Sequence, residues 1–229
     1  MQAGFAGDGP AEVGRETAPG ERPGSEPVKH MNERDWEAHY QAGDTPWNHG
    51  EPVPGLIDFL AANPGLARRP VLVPGCGMGH DAMAWAKHGF PTVGLDLAPT
   101  ATTLAHGIAA SAGPGAVTFR AGDFLSPTEI RTETDEKYGW VFEHTLYCAI
   151  SPDRREDYAR AVERWLEPGG SFVAIHYLNP AAPEGPPFGC TREEILRRFA
   201  VGFELVSDWS PRSWSSREGR EWMFWWRRR

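Results

Sequence analysis

Three short apolar runs end on residues that could grip one small polar ligand. "VLVP" (71–74) leads into Gly75-Cys76-Gly77-Met78-Gly79, "TVGLD" (92–96) ends on Asp96, and "VTFRAGD" (117–123) ends on Asp123 with Phe124 next. Closely spaced glycines let a ligand approach the backbone and supply conformations that other residues resist. A carboxylate at the second strand end can accept hydrogen bonds from both hydroxyls of a ribose. One at the third can accept from an adenine amino group, with Phe124 beside the ring. A dinucleotide site favours G-x-G-x-x-G, whose spacing sets a pyrophosphate on a helix N-terminus. The present turn is G-x-G-x-G, so the set fits S-adenosylmethionine better than NAD, and a nucleotide-dependent oxidoreductase is the competing enzyme class. A binding module without turnover is the third alternative.

The elements that would carry these residues alternate. After "VLVP" come the helix "HDAMAWAKHG" ending at Gly89, "TVGLD", the helix "TATTLAHGIAASAG", "VTFRAGD", "WVFEHT", the amphipathic helix "DRREDYARAVERWL" and "SFVAIHY". "TREEILRRFA" then starts with a capping box of Thr191 and Glu194, and "FELVSDW" and "EWMFWW" follow with only a loop between them. Strands alternating with helices predict an α/β fold with a mostly parallel seven-stranded sheet covered on both faces, Rossmann-like, with an antiparallel edge hairpin at the end. The large residues of "EWMFWWRRR" are expected on both faces of a buried strand, and its trailing arginines are expected to solubilise the end. Asp81 and His80 open a helix, where capping is their expected task.

Ahead of the sheet, residues 1–28 are rich in Gly, Pro, Glu and Ala, a composition predicting a disordered tail, with the folded domain spanning 29–229. "NERDWEAHYQAG" predicts a helix with Asn32 as N-cap and Gly43 as stop, and "GLIDFLAAN" predicts another. The chain has 229 residues, 40% hydrophobic and 24% charged, with net charge −8, which fits one soluble domain and argues against a nucleic-acid surface. No run approaches the ~20 apolar residues that span a bilayer. The three cysteines (Cys76, Cys148, Cys190) show no disulfide or zinc spacing. A reduced, cytoplasmic monomer acting on a small molecule is expected, with no membrane or metal.

From Trp36 to the C-terminus the motifs "W…Y…DTPWNHG", "LVPGCGMGHD", "VGLD", "GDF", "YCAISPDRR", "LEPGG" and "GPPF" occur in order. In this the chain resembles the thiopurine S-methyltransferase-like enzymes, especially their halide/thiol methyltransferase branch. The resemblance implies a class I methyltransferase fold, S-adenosylmethionine as donor, S-adenosylhomocysteine as product, and a small soft nucleophile as acceptor. By position it places cofactor contacts on Trp36, Tyr40, Trp47, Gly75, Asp96, Asp123, Phe124 and His144, and Gly77 joins them as part of the same turn. Trp36, Tyr40 and Trp47 would belong to an N-terminal lid over residues 31–55. There, aromatic faces attract a sulfonium by the cation–π effect, worth roughly 0.5–2 kcal/mol. On the acceptor side Tyr177 matches a tyrosine of the halide/thiol branch, and His144 and Tyr147 end the fourth strand. Cys148 is expected to pack, and His176 to point away from Tyr177.

The chain departs from the family at Glu143-His144, where an Asp-Tyr pair is usual, and at Asn48, Glu184 and Phe188. Glu143 near the acceptor would repel an anion. His144 acting as a base, titrating near ~6.5, would favour a neutral thiol or an amine. A small-amine N-methyltransferase therefore stays open beside the sulfur or halide reading.

Overall fold

The computed structural model describes Met1 and residues 35–112, 117–126, 137–178 and 184–229. The chain divides into two units, Met1–Met31 and Asn32–Arg229. The expectation of a tail over 1–28 lies, Met1 apart, outside the described residues.

Seven strands form one sheet: β1 (Val71–Pro74), β2 (Thr92–Asp96), β3 (Val117–Ala121), β4 (Tyr138–His144), β5 (Leu166–Tyr177), β6 (Phe203–Trp209) and β7 (Glu221–Arg228). Their order is β3-β2-β1-β4-β5-β7-β6. The first five strands pair in parallel, and β7 runs antiparallel to both β5 and β6. The chain steps outward from β1 to β3, then returns to lay β4 on the other side of β1. In open α/β sheets, ligands sit at such a reversal, beyond the carboxyl ends of the strands. The turn after β1 and the end of β4 meet there, as a Cβ built on Gly75 would lie 2.9 Å from Leu146 Cδ1.

Alternation along the strands sorts the side chains into two cores. Leu72, Val141, Phe172, Ala174 and Phe224 face one cluster, while Val71, Val73, Phe142, Val173, Ile175 and Met223 face the other. Helices α5 (Arg155–Trp165) and α6 (Arg192–Phe199) cover the first face. Helices α2 (Pro54–Ala62), α3 (His80–Lys87) and α4 (Pro99–Ala112) cover the second. Helix α1 (Trp36–Ala42) forms a smaller third cluster, in which Tyr40 packs on Ala98 and Ala101 beside Trp36, Trp47 and Met78.

Three expectations change in detail. The β6–β7 hairpin forms, but β7 inserts between β5 and β6, leaving β6 as the edge. Burial explains the choice, since Met223, Phe224 and Trp226 are buried while Glu204 to Ser207 are exposed. The terminal arginines are part of the structure: Arg228 lies in β7 and donates to the Leu166 carbonyl, and the Arg229 amide donates to Gly202 O at 3.1 Å. Helix α1 begins at Trp36 rather than after Asn32, because Asp35 is the N-cap, accepting from the Ala38 amide at 3.1 Å.

Candidate active site

The glycine turn is held in conformations that side chains resist. Gly75, Gly77 and Gly79 have φ of +63°, +52° and +82°. Space is closed as well: a Cβ on Gly77 would meet the Tyr40 hydroxyl at 2.8 Å, and one on Gly79 would meet the Phe119 ring at 2.5 Å. Asp96 fixes the turn from the next strand, with Oδ2 accepting from the Gly77 amide at 2.8 Å and Oδ1 from the Ala98 amide at 2.9 Å. Burial pushes the Asp96 carboxyl above its usual range, partly offset by those amides. A carboxylate offers about four lone-pair sites, so acceptor capacity remains beyond those backbone amides. Asp123 Oδ1 accepts from the Leu125 amide at 2.8 Å and the side chain stays half-buried.

Phe124 departs from its expected place. Its ring is buried in the core, stacked on Trp165 at 6.3 Å and edge-on to Tyr158 at 5.9 Å, so it is packing rather than a free adenine platform. Leu97, between Asp96 and Ala98, is instead the apolar side chain left open at this rim, 58% exposed. Sequence reasoning passed over it because a single leucine after a strand carries no distinguishing pattern.

The N-terminal aromatics close over the turn. Trp47 Nε1 donates to the Tyr40 hydroxyl at 3.1 Å, and the Trp47 ring stands edge-on to Trp36 at 5.1 Å and to Tyr40 at 5.8 Å. Burial and the nearby Asp96 charge push the Tyr40 phenol up, so it stays protonated. Glu37, on the same helix, accepts from the Thr100 amide at 3.0 Å and from its hydroxyl, tying α1 to the start of α4. Asn48 Nδ2 reaches Met78 Sδ at 3.0 Å, which joins the following loop to the glycine turn. These bonds bring Trp36, Tyr40 and Trp47 together with Gly77 and Asp96.

The acceptor side differs most from expectation. His144 Nε2 lies 2.9 Å from Glu221 Oε1 and Nδ1 lies 3.7 Å from Asp81 Oδ2. Burial alone would lower the pKa of His144, but the two carboxylates outweigh it and raise it to about 9. The Arg217 guanidinium joins the same cluster, 3.3 Å from both His144 Nε2 and Glu221 Oε1, and with the two acids dominant the imidazolium is favoured over a free base titrating near ~6.5. Asp81 lies in the first turn of α3, where its charge suits the helix dipole as expected, but it makes no cap bond: its Oδ1 accepts from the Val53 amide at 2.8 Å, and Gly79 occupies the cap position. Sequence reasoning missed Glu221, 77 residues from His144, because only the β5–β7 pairing brings it there. Thr145, the residue after His144, has φ of +62°, a conformation rare outside glycine and retained where surrounding structure imposes it.

Two further candidates turn inward. Glu143 is fully buried with Oε1 2.7 Å from His176 Nδ1, and its Oε2 accepts from the Leu146 amide at 2.7 Å. It faces the core, so the expected repulsion of an anionic acceptor does not arise. Tyr147 is fully buried, donating to Glu194 Oε1 at 2.7 Å and accepting from Arg198 Nε at 2.8 Å, with Arg155 over its ring. Burial pushes its phenol up, and it serves to join α5 and α6 rather than to touch an acceptor. Cys148 is buried and donates to Thr145 O at 3.1 Å, its thiol pushed up by burial. Tyr177 stays open at the end of β5. Its hydroxyl accepts from Arg220 Nη1 at 3.2 Å, and the Arg217 guanidinium lies 5.7 Å from its ring centre.

Comparison with known proteins places the chain in a family. The family model for thiopurine S-methyltransferase covers residues 31–214. A probable thiol methyltransferase 2 of Arabidopsis thaliana is 34% identical over 173 residues, 75% of this chain and 74% of the relative. Thiocyanate methyltransferase 1 of Brassica oleracea is 32% identical over 196 residues, 83% of each chain. Among solved structures, the one described under "Conversion of a Disulfide Bond into a Thioacetal Group during Echinomycin Biosynthesis" superposes with TM-score 0.64 at 26% identity, over 80% of this chain and 84% of the other. The sheet order, the glycine turn backed by Asp96 and a match over most of the chain agree, so this protein belongs to the thiopurine S-methyltransferase family and is an S-adenosylmethionine-dependent methyltransferase.

Proposed function

We propose that the chain methylates a small sulfur nucleophile that reaches the site already as an anion, such as thiocyanate, hydrosulfide or the thiolate of an acidic thiol. The observation that carries this reading is His144, pinned as a cation between Asp81 and Glu221. With its histidine protonated, its Tyr147 and Cys148 buried, and Glu143 turned into the core, the fourth strand end offers no base for a neutral thiol or an amine. The thiol and thiocyanate methyltransferases among the relatives support the sulfur assignment. Arg217 and Arg220 beside Tyr177 favour an acceptor of negative charge.

The residues present fit the cofactor. Gly75 and Gly77 would admit its methionine end, Asp96 its ribose, and Asp123 with Leu97 its adenine, while Trp36, Tyr40 and Trp47 would cover the sulfonium. Bound there, the cofactor supplies an electrophilic methyl group. The protein's own share is placement and dryness: Tyr177 directs the acceptor, and the lid aromatics exclude water that would otherwise solvate an anion. Orientation of this kind can contribute up to about 7–11 kcal/mol, and desolvation strengthens the pull between anion and sulfonium.

A panel of thiocyanate, hydrosulfide, iodide, a small thiol and a small amine, read by S-adenosylhomocysteine release, tests the proposal. Turnover should be greatest with the sulfur anions. Turnover of the amine alone would overturn it.

A further inference from the structure

The β6–β7 loop and the N-terminal segment meet at one residue. Trp214 stacks face to face on His49, ring centres 3.8 Å apart and planes 14° apart, and its Nε1 donates to Glu51 Oε1 at 3.1 Å. The same indole lies 5.5 Å from the His144 ring and 5.8 Å from the Arg217 guanidinium, which in turn lies 5.7 Å from the Tyr177 ring. An unbroken series of contacts thus runs from the loop after Trp47 to the end of β5.

The loop that carries Trp214 is itself anchored. Arg212 makes a two-pronged ion pair with Asp58 of α2, at 2.9 and 2.7 Å, and a Cβ on Gly55 would lie 2.7 Å from Pro211 Cβ. Residues 211–214 are therefore a fixed ledge on α2. The segment opposite is packed at its start, where Trp47 lies against Trp36 and Tyr40, but has little burial beyond it: Asn48 is half-buried, and His49, Gly50 and Glu51 are exposed. A segment with few buried contacts takes its position from what it leans on.

We propose that Trp214 is a positioning residue that latches the loop bearing Trp47 over the sulfonium end of the site and keeps it in register with Tyr177. This rests on the cofactor placement proposed above. A stacked aromatic pair and an indole N–H hydrogen bond each add to such a latch. The role is absent from the sequence pattern, since Trp214 stands 163 residues from Glu51.

Three substitutions in the full chain test it: Trp214→Ala, Trp214→Phe and His49→Ala, with the double variant Trp214→Ala/His49→Ala. Calorimetry with S-adenosylmethionine should show the dissociation constant rising about tenfold in Trp214→Ala and less in Trp214→Phe, which keeps a stacking ring. Amide exchange over residues 47–51, measured without cofactor, should accelerate in Trp214→Ala and His49→Ala alike while that of β1 and β4 stays unchanged. The double variant should resemble Trp214→Ala alone, because the ring stack that His49→Ala removes is already lost in Trp214→Ala, together with the bond to Glu51. Additive effects of the two changes, or unaltered exchange over 47–51, would overturn the latch. A wild-type protein that fails to bind S-adenosylmethionine would overturn the cofactor placement instead, and the exchange experiment, which needs no cofactor, would still decide the latch.

Discussion

At the scale of the residue, the proposed acceptor chemistry turns on His144. Its folded pKa of about 9 lies above the unfolded value of ~6.5, so the imidazolium contributes stability that is fully present below pH ~6.5. That contribution is lost as pH rises through about 9. The melting temperature of the wild type should therefore fall over that alkaline window. His144→Gln should remove the dependence and lower the melting temperature by a few degrees, since Glu221 keeps its ion pair with Arg217 at 3.3 Å. A melting temperature of the wild type that rises with pH between those values would show that the ion pairs do not form. Gly77 makes the second residue-scale case. Its positive φ and the Tyr40 hydroxyl leave no room for a methyl group, so Gly77→Ala should weaken S-adenosylmethionine binding by about tenfold or more in calorimetry. Wild-type affinity in that variant would remove the turn from the site.

At the scale of the element, the caps and strand periods were legible in the sequence. Thr191 caps α6 as the spacing predicts, its hydroxyl accepting from the Glu194 amide at 3.2 Å, while the Glu194 carboxylate, expected to complete the capping box, turns to Tyr147, Arg155 and Arg198. Thr191→Ala should cost about 1 kcal/mol, seen as a melting temperature lower by roughly 2–4 °C. An unchanged transition would mean that the cap adds nothing. The glycine turn and Asp96 were legible too, because strand, turn, helix and strand lie within one stretch whose local pattern decides them. What the sequence hid depends on pairing across long separations. Glu221 reaches His144 only because β7 lies beside β5, and the same pairing, not proximity in the chain, sets Trp222 to Trp226 inside the sheet. Tyr147 read as an acceptor-side residue because it follows a strand end, yet the short helical turn Tyr147–Ala149 swings it back under α5 and α6. Phe124 likewise follows a strand and turns into the core against Trp165.

At the scale of the whole molecule, the division at Met31 and Asn32 coincides with the start of the family match at residue 31. A chain beginning at Met31 should keep its melting temperature and its turnover, as thermal denaturation and S-adenosylhomocysteine release would show; a large loss of either would give the first unit a part in folding or catalysis. Among the described residues no helix is long and apolar enough to cross a membrane. In the proposed arrangement, groups at the ends of β1, β2 and β3 would hold the cofactor and groups at the ends of β4 and β5 would face the acceptor, with the N-terminal aromatics across both. Its central claim is that methyl transfer proceeds without a protein base, onto an acceptor that is already an anion. The direct test is kcat/KM against pH for thiocyanate and for a small thiol of ordinary acidity, about 8.5. The thiocyanate profile should be flat through neutrality, and the thiol profile should rise with the ionisation of the thiol itself. A limb near pH ~6.5 in the thiol profile, absent from the thiocyanate profile and abolished in His144→Gln, would instead make His144 the base and contradict the account.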